Sequence, residues 1–274
     1  MKQVAFVDSK ILRGSDACIP VDDLGLQRAY AVFDYARMYN GRLFHIHDHI
    51  ARFRRSAAGL HLELDYTDEE IIRNAMILVD ELNVENAGLR LLLTGGPAHG
   101  STLFDQPRFI MIAEQLPEYP SHVFQKGVKL MTYEFQRDLP HVKTTNYMNA
   151  FRLEPLKREK KAYDILYVWQ GKVLECPRDN FFIVRGNKLI TAKDNVLHGV
   201  TRKVIFELAR DDFTVEERDV AVEELDVADE AFLTSTTKQT VPVVQVDDRK
   251  IGDGKVGECT RTIIMRFQDY IDSY

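Results

Sequence analysis

The sequence predicts an α+β fold of two domains, and three observations lead to it. Short strand patterns recur in pairs joined by turn residues, and they alternate with amphipathic helical patterns. Hairpins cannot supply the crossovers of a parallel sheet, so largely antiparallel sheets are expected. The 274 residues are enough for two domains, and the composition shifts at the proline-containing stretch PEYPSHVFQKG. The predicted domains are therefore residues 1–116 and 128–274, with a linker at 117–127.

The predicted N-terminal domain alternates hairpins with helices. QVAFVDSKILRG and AVFDYARMYNGRLFHI are each typical of a hairpin, and the second turns at Asn40-Gly41, a dipeptide that tolerates positive φ. Apolar residues three and four apart predict helices in HDHIARFRRSAAGLHL and DEEIIRNAMILVDELN. GLRLLLTGG and RFIMIAEQL then predict two buried strands.

The predicted C-terminal domain repeats this mixture. VKLMTYEF predicts a strand, and TTNYMNAFRLEPLKREKKA predicts a helix that Pro155 kinks or divides, because proline lacks an N–H donor. DILYVWQGKVLE and NFFIVRGNKLITA are hairpin patterns, and GVTRKVIFELARDD is a helix that follows a glycine. EAFLTSTTKQTVPVVQV predicts strand, loop and strand, and VGECTRTIIMRFQDYI predicts an amphipathic terminal helix.

Composition excludes several classes of function. The formal net charge is -6 with both signs interleaved, which argues against a nucleic-acid surface and favours small-molecule or protein partners. Apolar runs stay shorter than the roughly 18–20 residues of a membrane span, and the start lacks a signal-peptide pattern, so we expect a cytoplasmic protein without membrane contact. Three scattered cysteines suggest neither a disulfide framework nor a cysteine zinc site, and we expect them to be buried thiols.

Lys143 stands beside the small polar residues Thr144, Thr145 and Asn146, which leave room around its amine. A desolvated lysine of this kind forms Schiff bases with carbonyl compounds. Glu175 ends the strand of GKVLECPRDNFF. Taken alone, each is more typical of a solvated surface residue. Together they suit pyridoxal phosphate, which reacts with a lysine and needs a carboxylate at its ring nitrogen, because the pyridinium is the electron sink for a substrate carbanion.

The phosphate of such a cofactor needs amide and hydroxyl donors. LHGVTRK places Gly199, Val200 and Thr201 at a helix N-terminus, where N–H groups and the helix dipole favour an anion, although an ordinary helix start has the same pattern. Arg52 in HDHIARF offers a fixed positive charge. The loop of TSTTKQTVP supplies a second cluster of hydroxyls, namely Ser235, Thr236 and Thr237.

In this order, the stretches make the chain resemble the class IV aminotransferases, also called fold type IV pyridoxal-phosphate enzymes. The family includes branched-chain aminotransferases, D-amino acid aminotransferases and aminodeoxychorismate lyase. The resemblance covers nearly the whole chain, through DDLGLQRAYAVFDYARMYNG, DHIARF, KTTNY, GKVLECPRDNFFIV, LHGVTRK, TSTTKQTVPV and GDGKVGECTR. It implies a small α/β N-terminal domain and a larger C-terminal domain that resembles a pseudo-barrel.

By this resemblance, Lys143 is the residue that binds pyridoxal 5'-phosphate covalently and shuttles the α-proton, and Glu175 is the partner of the pyridine nitrogen. Tyr147 corresponds to a residue that bonds the cofactor's phenolic oxygen. The positions that correspond to phosphate contacts are Arg52, Val200, Thr201, Thr236 and Thr237. The family also implies a homodimer, in which a loop of the first domain reaches into the partner's active site. The expected reaction is transamination between an amino acid and a keto acid.

Substrate choice depends on how the α-carboxylate is held. The usual D-amino acid enzymes of the family carry a Pro-Arg-x-His loop, whereas the corresponding GGPAHGS contains His99 and no arginine. The branched-chain enzymes place an aromatic residue two positions before an arginine. Arg90 corresponds to that arginine, but Gly88 replaces the aromatic residue.

Three arginines, Arg28, Arg90 and Arg178, offer a replacement clamp, because a guanidinium fork binds a carboxylate bidentately. Arg28 falls where family members contribute a tyrosine from the neighbouring subunit. Each arginine is also typical of a surface or ion-paired residue. Phe33 and Tyr35 alternate on one strand, so they face one side as a pocket wall or as core aromatics.

This set resembles an atypical, arginine-rich group of D-amino acid transaminases. We therefore expect D-amino acids such as D-alanine and D-glutamate as donors, with 2-oxoglutarate or pyruvate as acceptor. A branched-chain L-amino acid aminotransferase and aminodeoxychorismate lyase remain as alternatives.

Two other motifs suggest different chemistry. HIHDH, residues 45–49, offers three histidines and an aspartate for zinc, but the helix expected from about residue 47 breaks their common face and HExxH is absent. LTGGPAHGST lacks the glycine-lysine-hydroxyl sequence of a nucleotide site and is interpreted as a loop. No metal is therefore expected, and the presence of both Lys143 and Glu175 argues against a non-catalytic binding protein.

Overall fold

The computed structural model describes residues 2–98 and 106–274, and it confirms the predicted mixture of helices and sheets, with one sheet curled into a half barrel. The chain divides into two compact units. Unit 1 contains Met1–Pro117, Val142–Asn146 and Tyr274. Unit 2 contains Glu118–His141 and Tyr147–Ser273.

Unit 1 is an antiparallel sheet with helices packed on it. Its strands are β1 (Gln3–Val7), β2 (Lys10–Arg13), β3 (Ala31–Tyr39), β4 (Arg42–Leu43), β5 (Ala87–Thr94) and β6 (Arg108–Gln115). Its helices are α1 (Leu24–Arg28), α2 (Ile46–Gly59) and α3 (Asp68–Leu82), and a 3-10 turn covers Gly14–Asp16. The order of the strands is β2-β1-β6-β5-β3-β4.

The core of unit 1 lies between this sheet and helices α2 and α3. Ile50, Phe53 and Ala57 follow one another at intervals of three and four residues and are buried, which is why this stretch forms an amphipathic helix. The start of α3 is fixed by a capping box, in which Thr67 accepts from the N–H of Glu70 and Glu70 accepts from the N–H of Thr67.

Residues 142–146 extend the edge of β3 beyond the two-residue strand β4. The N–H of Phe33 donates to the carbonyl of Lys143 at 2.9 Å, and the N–H of Thr145 donates to the carbonyl of Ala31 at 3.0 Å. This segment lies within the predicted domain 128–274, yet it groups with unit 1, because its backbone pairs with β3.

Unit 2 contains a second, larger sheet. Its strands are β7 (Val128–Glu134), β8 (Asp164–Trp169), β9 (Lys172–Val173), β10 (Asn180–Arg185), β11 (Lys188–Thr191), β12 (Thr214–Glu217), β13 (Val220–Ala221), β14 (Glu230–Ser235), β15 (Gln239–Val246) and β16 (Arg249–Lys250). Its helices are α4 (Ser121–Lys126), α5 (Met148–Arg152), α6 (Glu154–Glu159), α7 (Val200–Ala209) and α8 (Glu258–Ser273), and a 3-10 turn covers Val222–Asp226.

The strand order in this sheet is β12-β11-β10-β14-β15-β7-β8-β9-β13, with β16 paired to β15. Most neighbouring strands are antiparallel, as expected, and four of these pairs are hairpins, namely β8–β9, β10–β11, β14–β15 and β15–β16. Strand β7, however, runs parallel to both β8 and β15, and β11 runs parallel to β12. These pairs join strands that are not linked by a hairpin turn, so no local turn pattern in the sequence predicts them.

The structure agrees with some local predictions and differs from others. Pro155 divides the predicted helix into α5 and α6 and lies in the first turn of α6, where its missing N–H is not needed. The predicted linker contains α4, whose Val123 is buried. Cys176 is buried, but Cys18 is exposed, contrary to the expectation of buried thiols. Across the described residues, none of the helices is long and apolar enough to cross a bilayer.

Candidate active site

The predicted site residues fall into two groups, one in each unit. In unit 1, the backbone of Lys143 is held on both sides, because its carbonyl accepts from Phe33 and its N–H donates to Ser56 Oγ at 3.1 Å. Ser56 is fully buried on α2. The amine Nζ lies 4.6 Å from the centroid of the Phe33 ring. The lysine is therefore positioned by strand β3 and helix α2 rather than by an isolated loop.

Arg52 lies in the same unit and is 5% exposed. Its Nε and Nη2 donate to the two carboxylate oxygens of Asp34, both at 2.8 Å. His49 Nδ1 lies 2.7 Å from Asp34 Oδ1. This bidentate pair fixes the plane of the guanidinium, which would orient it toward a phosphate more strictly than a flexible lysine could.

Charges in this network shift two pKa values. Burial alone would raise the pKa of Asp34, but Arg52 and His49 together hold it well below its usual range. Burial lowers the pKa of His49 below its ordinary 6.5, and the charges of Arg52 and Lys143 lower it further, although Asp34 opposes the shift. The buried imidazole is therefore neutral at pH 7.

Acidification is expected to destabilise the protein through His49. Above pH 6.5 the imidazole is neutral in the folded and unfolded states, so its contribution to stability is fully present. Below that pH His49 binds a proton more readily in the unfolded state than in the folded state. The free energy of unfolding therefore falls until the pH is below the pKa of His49 in the folded state. Urea unfolding at several pH values between 7.5 and 5 should show this loss.

His47 provides a matched control, because it lies on the same helix and is exposed. His49→Gln should flatten the pH dependence in this range, whereas His47→Gln should leave it unchanged. Identical slopes for His49→Gln and the wild type would contradict the assignment.

Phe33, Tyr35 and Arg90 form a cluster in unit 1. The Arg90 guanidinium carbon lies 4.9 Å from the Tyr35 ring centroid and 5.6 Å from that of Phe33. Arg90 Nη2 also donates to Glu114 Oε1 at 2.9 Å. A Cβ at Gly88 would lie only 2.0 Å from the Tyr35 hydroxyl oxygen. Tyr35, from the neighbouring strand, thus fills the space that a side chain at position 88 would occupy.

The other two candidate arginines, Arg28 and Arg178, are exposed. Arg28 ends α1, and its Nη1 donates to the carbonyl of Gln27. Arg178 belongs to unit 2, where its guanidinium carbon lies 5.7 Å from the Tyr147 ring and 5.8 Å from the Phe151 ring. Tyr147 directly precedes α5 and, like Arg178, belongs to unit 2.

Glu175 is 5% exposed and is surrounded by donors in unit 2. Arg137 donates to Oε1 from Nε at 2.9 Å and from Nη2 at 2.6 Å. The N–H of Leu197 donates to Oε2 at 2.9 Å, and Asn180 Nδ2 donates to the same oxygen at 3.4 Å. An acceptor-only carboxylate is the form that suits these donors. Glu175 is therefore a fixed negative group, as the partner of a pyridinium must be.

Helix α7 begins beside Asn180. The first N–H groups of a helix, here those of Val200 and Thr201, have no intrahelical acceptor and point out of its N-terminus. A Cβ at Gly199 would lie 2.3 Å from Asn180 Oδ1, so only glycine allows this close approach. Asn180 is also in register with Thr234 of β14. The start of α7 and the end of β14 are thus neighbours through Asn180.

Strand β14 leads into the loop of hydroxyl residues. Ser235 pairs in register with Gln239, which leaves Thr236, Thr237 and Lys238 as the loop. Ser235 Oγ is inaccessible to solvent and has no hydrogen-bond partner among the described residues. Tyr119 donates to Thr237 Oγ1 at 3.2 Å. Amides at a helix start and neighbouring hydroxyls are donors that fit a phosphate ester, so these residues suit the phosphate of pyridoxal phosphate.

Several residues around the site were missed by the sequence analysis. Ser56, Asp34 and Arg137 each contact a predicted site residue, but their partners are at least 18 positions away along the chain. Of these three residues, Asp34 could have been suspected from the sequence, because a charged residue inside an apolar strand needs a partner. His49 pairs with Asp34, and His45 Nδ1 lies 3.0 Å from Asp48 Oδ2.

Within residues 2–98 and 106–274, no group of three or more histidine, cysteine or acidic side chains is arranged to hold a metal ion. His99 and the following part of GGPAHGS lie outside the described residues.

Comparison with known proteins agrees with this chemistry. Residues 31–246 match the family model of class IV amino-transferases. The D-alanine aminotransferase of Staphylococcus haemolyticus is 30% identical over 275 residues, which cover 98% of each chain. That of Bacillus licheniformis is 29% identical and covers 96% of this chain and 95% of its own.

Solved structures show the same fold. A branched-chain amino acid aminotransferase of Escherichia coli has a TM-score of 0.90 at 22% identity, covering 99% of this chain and 95% of that one. An aminotransferase of Brucella abortus bound to PLP has a TM-score of 0.88 at 23% identity, covering 99% and 100%. The family match over most of the chain, together with a full-length relative at 30% identity, confirms the resemblance seen in the sequence. The chain belongs to the class IV aminotransferases and is a pyridoxal-phosphate-dependent enzyme of transamination.

Proposed function

We propose that this enzyme transaminates D-amino acids, with D-alanine and D-glutamate as donors and 2-oxoglutarate or pyruvate as acceptor. The curated relatives that support this are D-alanine aminotransferases of nearly equal length. The branched-chain aminotransferases among the solved structures are less than 25% identical and support the fold alone. Transamination of branched-chain L-amino acids remains the alternative, because Arg90 corresponds to the arginine of the branched-chain enzymes, although Gly88 replaces their aromatic residue.

One observation carries the proposal: Lys143 and Arg90 pack against the same ring of Phe33. The amine lies 4.6 Å and the guanidinium carbon 5.6 Å from the ring centroid. An α-amino acid bears its amino group and its carboxylate on one carbon, so a cation near the reacting amine is what its binding requires. Arg90 is the candidate carboxylate ligand beside the Phe33 ring, and its 35% exposed side chain is accessible to a substrate.

The residues would divide the chemistry as follows. Lys143 would hold the cofactor covalently and, once displaced, would use its neutral amine to remove the α-proton and return it. Pyridoxal phosphate supplies the electron sink that stabilises negative charge at the substrate's α-carbon. Glu175 would keep the ring nitrogen protonated, while Arg52, Val200, Thr201, Thr236 and Thr237 would hold the phosphate. Tyr147 would bond the phenolic oxygen.

Arg28 and Arg178 complete the proposal as further carboxylate ligands, with Phe33 and Tyr35 as the wall of the pocket. Arg28 would act across a homodimer, in the active site of a second copy. Two exposed apolar residues support this role, because Leu26 of the same helix and Val21 before that helix are 65% and 81% exposed and would be covered by a partner chain.

Handedness is tested by the half-reaction of the cofactor-loaded enzyme with single amino acids. We expect D-alanine and D-glutamate to change its visible spectrum faster than their L-isomers by about two orders of magnitude or more, with little reaction of L-leucine. Stopped-flow absorbance measures each rate. Preference for the L-isomers would overturn the proposal.

The same assay tests Arg90 with matched variants. Arg90→Met should raise the half-saturating concentration of D-alanine about tenfold or more, because a charged hydrogen bond is lost. Glu114→Gln should lower it, since the carboxylate that occupies Arg90 is removed. Arg55→Met, an exposed arginine on α2, is the control and should behave as the wild type. Unchanged saturation in Arg90→Met would exclude Arg90 as the carboxylate ligand.

A further inference from the structure

The loop of Thr236 and Thr237 also carries an inward-facing lysine. Lys238 is only 7% exposed, and its Nζ donates to Asp179 Oδ2 at 2.5 Å. Asp164 Oδ2 lies 3.8 Å from the same nitrogen. Lysine is almost never this buried unless it is paired. The ion pair is therefore a specific feature of this loop and not a surface contact.

Asp179 lies in the short turn that separates Glu175 from Asn180. The N–H of Cys176 donates to the carbonyl of Asp179 at 2.9 Å, which closes the turn. Glu175 and Asn180 form a β-bridge at its two ends, and Asn180 Nδ2 contacts Glu175 Oε2. The ion pair thus connects the hydroxyl loop directly to the turn that carries Glu175.

Both members of the pair depend on each other. Asp179 is 3% exposed, and its second oxygen Oδ1 has no hydrogen-bond partner among the described residues. Burial alone would lower the pKa of Lys238, but the carboxylates of Asp179 and Asp164 outweigh it and raise the pKa, so the ammonium stays charged. Removing Lys238 leaves two buried carboxylates without their ammonium, and removing Asp179 leaves the ammonium with the more distant Asp164 alone. Removing both members leaves only the Asp164 carboxylate without its cation, which avoids part of that cost.

No neighbouring residue of the loop could form this ion pair with Asp179 in place of Lys238. The preceding residues of the loop, Thr236 and Thr237, are uncharged, and the next residue, Gln239, is already in register with Ser235 on the partner strand. The lysine side chain reaches from the hairpin loop to the turn, so the intact pair restricts how far the loop can move from the turn. Loss of the pair would remove this side-chain connection, while the pairing of Asn180 with Thr234 would still join β10 to β14.

We propose that the Lys238–Asp179 ion pair is a positioning device that holds the phosphate-binding hydroxyl loop and the Glu175 turn in one arrangement. Neither residue is assigned a contact with substrate or cofactor. The pair acts through Thr236 and Thr237 at one end and through Glu175 at the other. It should therefore affect cofactor binding at the phosphate and at the ring nitrogen at once.

The test is equilibrium binding of pyridoxal phosphate to the apoenzyme, with the ³¹P shift of the bound phosphate and the visible spectrum of the loaded enzyme as further readouts. Lys238→Met and Asp179→Asn should each weaken binding about tenfold or more and shift both spectra. The double variant should bind more tightly than Lys238→Met, because only one buried carboxylate, that of Asp164, then lacks the ammonium instead of two. Should Lys238→Met fail to fold, Asp179→Asn and the double variant give the same comparison.

Lys172→Met is the matched control, since Lys172 forms a half-exposed ion pair with Asp219 at 2.6 Å in the same unit. It should leave all three readouts unchanged. Strictly additive losses in the double variant, or wild-type binding and spectra in both single variants, would overturn the proposal. So would a Lys238→Met variant that binds pyridoxal phosphate normally and loses affinity only for dicarboxylic substrates, since the lysine would then be a substrate ligand.

The inference rests on the proposed phosphate role of the hydroxyl loop, and Thr237→Val separates the two. Normal cofactor binding by Thr237→Val would remove the assumed role of this threonine. Weak binding by Thr237→Val together with normal binding and spectra in Lys238→Met and Asp179→Asn would reject only the positioning role of the ion pair.

Discussion

Replacement of Lys143 by alanine is expected to abolish transamination. The substitution removes the amine that would bind the cofactor covalently and the base that would move the α-proton. Loss of the proton-transfer role alone costs about 10²–10⁴-fold in rate. Loss of covalent attachment adds to this cost, so turnover should fall below detection. The backbone contacts with Phe33 and Ser56 do not involve the side chain, so the variant should still fold.

Borohydride reduction of the wild type gives an independent readout. It should fix the cofactor on the peptide that contains Lys143, as mass spectrometry of a digest would show, whereas Lys143→Ala should carry no label. Lys160→Ala is the control, because Lys160 is an exposed lysine at the end of α6. Substantial turnover by purified Lys143→Ala, or label on another lysine, would refute the assignment.

Replacement of Glu175 by glutamine is expected to lower turnover by about 10²–10³-fold while the enzyme still binds its cofactor. A neutral amide cannot balance a protonated ring nitrogen, so the electron sink is weakened. The amide also brings an NH₂ group among donors from Arg137, Leu197 and Asn180, where an acceptor is needed. Steady-state rates and the visible spectrum of the loaded variant measure the effect.

Arg137→Met separates the two causes, since it keeps the carboxylate but removes two of its donors. It should reduce turnover less than Glu175→Gln, because the negative charge at the ring nitrogen remains. Equal turnover in Glu175→Gln and the wild type would show that this carboxylate does not serve the ring nitrogen.

Local sequence patterns were sufficient to predict most elements of the fold. The hairpin at Asn40-Gly41 forms with positive φ at both residues, and α2 and α3 follow their apolar periodicity. Parallel pairing of β7 with β15 was not predictable in the same way, because its partners are separated by more than a hundred positions. The pairing of residues 142–146 with β3 is likewise a tertiary contact that leaves no periodic signal.

In the candidate site, too, local motifs could be predicted and tertiary contacts could not. Lys143, Arg52 and Glu175 could be proposed because their residue types and motifs suit a known chemistry. Their supporting contacts could not be proposed, since Ser56, Asp34 and Arg137 are ordinary residues whose importance depends on which partner the fold brings to them. Lys238 illustrates the limit clearly, because lysine in a hairpin loop normally predicts exposure, and here Asp179 makes burial tolerable.

The pairing of residues 142–146 with β3 has a consequence for biosynthesis. Translation runs from the N-terminus, so the first 117 residues emerge from the ribosome before residues 142–146 do, and a nascent unit 1 exposes unpaired backbone groups along that edge of β3. The strand edge is closed only after translation has passed well into the second half of the protein. The lysine that reacts with the coenzyme thus arrives together with the peptide that shields this edge from other chains.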